Sequence, residues 1–105
     1  MICAKDIAVI DKNYFRILSV RGFYITLQSK NTGHYWHLLE RMERNRRTFV
    51  ISHRHGGTGS YHLQRTRPSV KECCAYIKDH DAYQLRKDRA RAQRLRDRYG
   101  CKEMR

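Results

Sequence analysis

Between residues 23 and 65, apolar and polar positions alternate in short runs. Clusters of turn-forming residues close each run: Ser29-Lys30-Asn31-Thr32-Gly33, Glu43-Arg44-Asn45 and Gly56-Gly57-Thr58-Gly59. A period of two sends successive side chains to opposite faces of a strand, and β-branched and aromatic residues fill the runs. The pattern predicts an antiparallel meander with strands near residues 23–28, 34–41, 47–53 and 61–65. Two-residue loops at Asn31-Thr32 and Arg44-Asn45 would set its register, so that Ile25 faces Leu38 and Leu38 faces Ile51. Leu27, Trp36 and His53 form the neighbouring row. That face is the expected core. Tyr24, Thr26, Tyr35, His37, Ser52, Arg54, His62 and Gln64 are expected on the other face, which is aromatic and polar.

After residue 65 the period changes. Arg67-Pro68-Ser69 stops the last strand, and Ser69-Val70-Lys71-Glu72 has the capping-box form, with Ser at the N-cap and Glu three residues on. Val70, Cys73, Cys74 and Ile77 then recur at helical spacing and are expected to cover the sheet's apolar face. Asp81 is either a second N-cap or a point of continuation, and no breaker follows before Gly100. The segment before residue 23 has two readings. It pairs as a strand across Arg21-Gly22, or it forms a helix capped by Asp11, with Tyr14, Ile17 and Leu18 on its apolar side and Gly22 at its end. The helix is the preferred of the two. The expected fold is α+β: a three- or four-stranded antiparallel meander packed against a helix, with an extra basic C-terminal helix. Residues 1–80 would form the core and residues 81–105 the basic extension.

Charge gives this frame a direction. The chain has 105 residues, with 23 Lys and Arg against 10 Asp and Glu, a formal charge of +13. So much like charge repels itself unless a polyanion gathers at the surface, which points to an anionic partner. Residues 81–105 hold 9 basic and 4 acidic residues, net +5, and residues 1–80 hold 14 and 6, net +8, so the charge is not confined to a tail. No stretch approaches the roughly 20 apolar residues that span a bilayer, so no membrane partner is expected and the expected location is cytoplasmic. The four cysteines, Cys3, Cys73, Cys74 and Cys101, are expected to be reduced thiols, since the vicinal pair sits in a helical segment and no C-x-x-C occurs.

Basic side chains beside aromatic ones are what a nucleic-acid surface needs, because phosphates take Arg and Lys while bases stack on Tyr, His or Trp. Arg54, Arg86, Arg89, Arg91 and Arg94 are the candidates for phosphate, and Tyr35 and His37 for stacking or groove contact. The expected function is binding of DNA or RNA without catalysis. An acidic protein is a second class of partner. A third reading is an inhibitor encoded by a mobile element that grips a nucleoprotein enzyme or its guide RNA.

Five of the six histidines lie between His34 and His62. His53 and His55 would share one strand face, and a cross-strand His could complete a metal site, but no carboxylate or thiolate stands at matching spacing, so neither a metal nor any other cofactor is expected. Imidazole also serves acid–base chemistry on RNA, and His34 is the best-placed candidate. Here a family resemblance enters. Ile17-Leu18-Ser19-Val20-Arg21-Gly22-Phe23, Thr32-Gly33-His34-Tyr35-Trp36, Phe49-Val50-Ile51-Ser52-His53 and the apolar helix after them resemble the HicA-type toxins over about residues 11–80. The resemblance implies an α-β-β-β-α fold like the double-stranded-RNA-binding domain and mRNA cleavage, with His34 as the catalytic residue. Thr32-Gly33-His34 replaces that family's Gly-Ser-His, and Ser52 stands where it usually has Pro.

Overall fold

In the computed structural model, which describes residues 1–100, five strands follow one another in a meander whose spatial order is the chain order. They are β1 (Phe15–Arg21), β2 (Tyr24–Ser29), β3 (Tyr35–Glu43), β4 (Arg46–Arg54) and β5 (His62–Arg67). A five-residue helix α1 (Ala4–Ala8) precedes them and a 30-residue helix α2 (Val70–Tyr99) follows. The α+β class is as expected, with five strands in place of three or four. Cys101 lies outside the described residues.

The additional strand is β1, in the segment where a helix was preferred. Phe15 and Ile17 face inward on alternate positions and pair with Ser29 and Leu27. A bulge between Ile17 and Ser19 then interrupts the alternation and leaves Leu18 and Val20 nearly half exposed. Ile17 and Leu18 therefore share no helical face: Ile17 points inward from the strand and Leu18 is the exposed residue of the bulge. Asp11 caps no helix; its side chain accepts from the Asn13 amide in a local turn.

The central register is the expected one. Ile25 pairs with Leu38 and Leu38 with Ile51, while Leu27, Trp36 and His53 form the next row. Arg44 and Asn45 form a tight two-residue turn, with φ of 50° and 62°. The β2–β3 connection is longer than two residues: the Gly33 amide donates to the Ser29 carbonyl at 2.8 Å, and the Ser29 amide to the His34 carbonyl at 3.0 Å. This four-residue loop is centred on Asn31-Thr32, so the pairing it sets is unchanged.

In β5 the expected faces are reversed for two residues. Ile51 pairs with Arg65 but Ser52 with Leu63, which makes Gln64 the extra residue of a bulge. His62 therefore pairs with His53 on the side of α2, and Gln64 accepts a hydrogen bond from the Tyr76 hydroxyl of α2 at 3.4 Å. Leu63, 72% exposed, takes their place on the outer face.

The first half of α2 covers the sheet. Ser69 is its N-cap, with its side chain accepting from the Glu72 amide at 3.2 Å. Val70, Cys73, Cys74 and Ile77 are buried against Ile25, Leu38, Phe49 and Ile51. Burial pushes the Cys73 and Cys74 thiols up to about 12 and about 11, so both are inert and, like Cys3, free. Asp81 starts no second helix: α2 runs through it without a break, and its buried carboxylate accepts from the Tyr14 hydroxyl at 2.7 Å and the Thr32 hydroxyl at 3.2 Å. No described helix is long and apolar enough to cross a membrane.

Candidate functional site

Three features converge at the end of the sheet where β3 begins and β4 ends. The first is on the outer face. Tyr35 and Arg54 are directly paired across β3 and β4, and His37 lies two residues further along β3 on the same side. The Arg54 guanidinium is held between the rings of Tyr35, 4.9 Å away, and Tyr61, 4.7 Å away. His37 stands 5.7 Å from Tyr61 and 4.7 Å from Tyr24, and burial holds its imidazole below the usual range, which favours the neutral ring. The structure thus brings Tyr35, His37 and Arg54 together and adds Tyr24 and Tyr61. Alternation along residues 61–65, with His62 and Gln64 outward, keeps Tyr61 off this face; the bulge at Gln64 that turns His62 to the side of α2 brings Tyr61 onto it.

The second feature is a cluster of four imidazoles on the opposite side. His34 Nδ1 and His53 Nε2 share a hydrogen bond of 2.9 Å. The His55 ring lies 4.5 Å from each of theirs, and His80 of α2 lies 5.0 Å from His53. His53 is almost fully buried and stacks on Trp36 at 4.2 Å, while the Trp36 indole N–H donates to the buried Ser29 hydroxyl at 3.1 Å. Burial, reinforced by the neighbouring imidazoles, depresses His53 to about 3, and burial also lowers His34 and His80. His34, His53 and His80 therefore favour the neutral ring at pH 7. The cross-strand histidine that could complete a site with His53 and His55 is His34: with Trp36 facing His53, two residues outward along both strands His34 faces His55.

The third feature is the second half of α2. Nothing in α2 after Asp81 is buried, and Arg86, Arg89, Arg91 and Arg94 are all exposed. At about 100° per residue, Arg86 and Arg89 lie on one side of the helix and Arg91 and Arg94 on another, so the four form two rows rather than one face. Among the described residues none of them makes an ion pair; Asp88 and Asp97 are engaged instead by Gln84 and Gln93. At the far end of the sheet, Arg44, Arg46, Arg47 and Arg67, together with Glu43, line a hollow of about 660 Å³.

No family model matches the chain, and neither a curated protein nor a solved structure matches it.

Proposed function

We propose that the protein binds nucleic acid, using the basic arm of α2 and the aromatic outer face of the sheet at the same end of the molecule. The observation that carries this reading is the arm. From residue 82 to 99 a helix about 27 Å long stands clear of any core, with seven Lys and Arg between Arg86 and Arg98 and no ion pair among the described residues to offset them. Self-repulsion of this kind is relieved by a polyanion, and two rows of arginine suit phosphates on both walls of a groove. The Tyr35, His37, Arg54 and Tyr61 surface supplies the stacking partners that phosphate contacts lack.

The test is affinity for a labelled duplex and a labelled single strand measured across a salt series. The logarithm of the affinity is expected to fall linearly with the logarithm of salt concentration. Replacing Arg86, Arg89, Arg91 and Arg94 together with Gln should flatten the slope by about 3–4 units, since each phosphate contact contributes about 0.9. A salt-independent affinity would overturn this reading. The same RNA, incubated with the protein for hours, is expected to remain whole; cleavage that His34→Ala abolishes would replace binding with ribonuclease activity.

A further inference from the structure

We propose that His34, His53 and His55 form a binding site for a zinc-class transition-metal dication, with a fourth coordination position open to solvent. One ring nitrogen from each residue takes part, and the three atoms all lie within 4.8 Å of one another. Tetrahedral zinc bound at 2.0–2.1 Å holds its nitrogen ligands about 3.4 Å apart. The 2.9 Å between His34 Nδ1 and His53 Nε2 and the 4.8 Å limit for the set bracket that spacing. Closure changes these separations by about 1.4 Å at most. The proton now shared by His34 and His53 moves to the other nitrogen of the ring that carries it, a change of tautomer with no net proton lost.

Two of the three ligands are already fixed by contacts that do not involve a metal. His53 is held flat against Trp36, itself anchored to Ser29. His34 sits in a loop tied down by three bonds: its carbonyl to the Ser29 amide, its amide to the Thr32 hydroxyl, and that hydroxyl to the Asp81 carboxylate. Such support from outside the ligand set keeps a metal site in shape. His55 is exposed and lies just past the end of β4, so it can close on an ion at little cost. Arg54, between the two β4 histidines in sequence, points to the outer face and is clamped between tyrosines, which keeps its charge away from the ion. Three imidazoles with no thiolate select zinc, copper, nickel or cobalt over magnesium or calcium, which need oxygen ligands. Three protein ligands also leave the fourth position for water or a phosphate oxygen. The inference stands independently of nucleic-acid binding.

The test uses the full, untagged chain, stripped with a chelator and titrated with Zn²⁺ and with Co²⁺. One equivalent per chain is expected at micromolar or lower concentration, with the intense visible absorption of four-coordinate Co²⁺. The melting temperature should rise with the logarithm of Zn²⁺ concentration. Loss of a supporting residue around a metal typically costs 10–100-fold in affinity, so His55→Ala and His34→Ala should each cost about 100-fold or more. Cys3→Ser, which removes an exposed thiol outside the cluster, should cost nothing. His55 is exposed, so its variant should retain the wild-type circular dichroism spectrum. No saturable binding below millimolar Zn²⁺ would overturn the proposal. So would one-equivalent binding that survives His55→Ala, or that Cys3→Ser weakens equally.

Discussion

Ile51 has no exposed surface and lies in the central row of the sheet, paired with Leu38 and covered by the first half of α2. Ile51→Ala is expected to lower the unfolding free energy by roughly 2–5 kcal/mol in a denaturant titration; a loss below about 1 kcal/mol would place the residue outside the core. This row was readable from the sequence because alternation and turn spacing are local signals. Glu40 was not readable, because a carboxylate at an inward position makes sense only through the charge network around it, which reaches as far as Asp6. Glu40 Oε2 accepts from Arg47 at 2.7 Å, and Arg47 also meets Asp6, 41 residues away, at 2.8 Å. Arg47 holds both carboxyls below their ordinary values of 3.8 for Asp6 and 4.5 for Glu40. Because the folded-state values are depressed, the stabilisation is complete above the ordinary carboxylate range and is lost as pH falls through the lowered values. Arg47→Met should therefore cost about 1.5–3 kcal/mol at pH 7 and much less at pH 3. Equal losses at the two pH values would show that Arg47 contributes packing alone.

Elements follow from sequence wherever one period dominates and fail where a bulge mixes two. The strands β2, β3 and β4 and the Ser69 cap stand within two residues of their expected positions, since each is set by turn residues or a cap at its boundary. β1 and β5 each carry a single inserted residue, and that one residue interrupts the alternation in β1 and reverses the faces of His62 and Gln64 in β5. The α-β-β-β-α order implied by the HicA resemblance differs from the α-β-β-β-β-β-α order here, with residues 15–21 as a strand where that family ends a helix. α2 joins two physical regimes in one element. Its first three turns are held by apolar burial and its remainder by backbone hydrogen bonds and local side-chain pairs, so the basic extension expected from residue 81 is the second half of a continuous helix. The histidine cluster needs three elements at once: the β2–β3 loop for His34, the end of β4 for His53 and His55, and α2 for His80 and the Asp81 anchor. Only the β3–β4 register linked any of these in the sequence.

At the scale of the whole molecule, the sheet's outer face and the helical arm present different chemistry, and their contributions should separate. The arm offers cations with no aromatic neighbour other than Tyr83 and Tyr99, whereas the outer face offers Tyr24, Tyr35, His37 and Tyr61 around a single clamped guanidinium. Phosphate contacts are made to duplex and single strand alike and weaken with salt, while stacking requires unpaired bases and is nearly indifferent to salt. Tyr35→Leu combined with His37→Leu is therefore expected to weaken single-strand binding by about 1–3 kcal/mol per base stack lost, with the salt slope unchanged and duplex affinity nearly so. The four Arg→Gln changes in the arm should weaken both ligands and flatten both slopes. The two surfaces share no contact partner, so combining the variants should give losses that add within about 0.5 kcal/mol. The decisive result is the single-strand affinity of the Tyr35 and His37 variant: if it matches wild type while the arm variant loses both ligands, the outer face takes no part and nucleic acid is held by α2 alone.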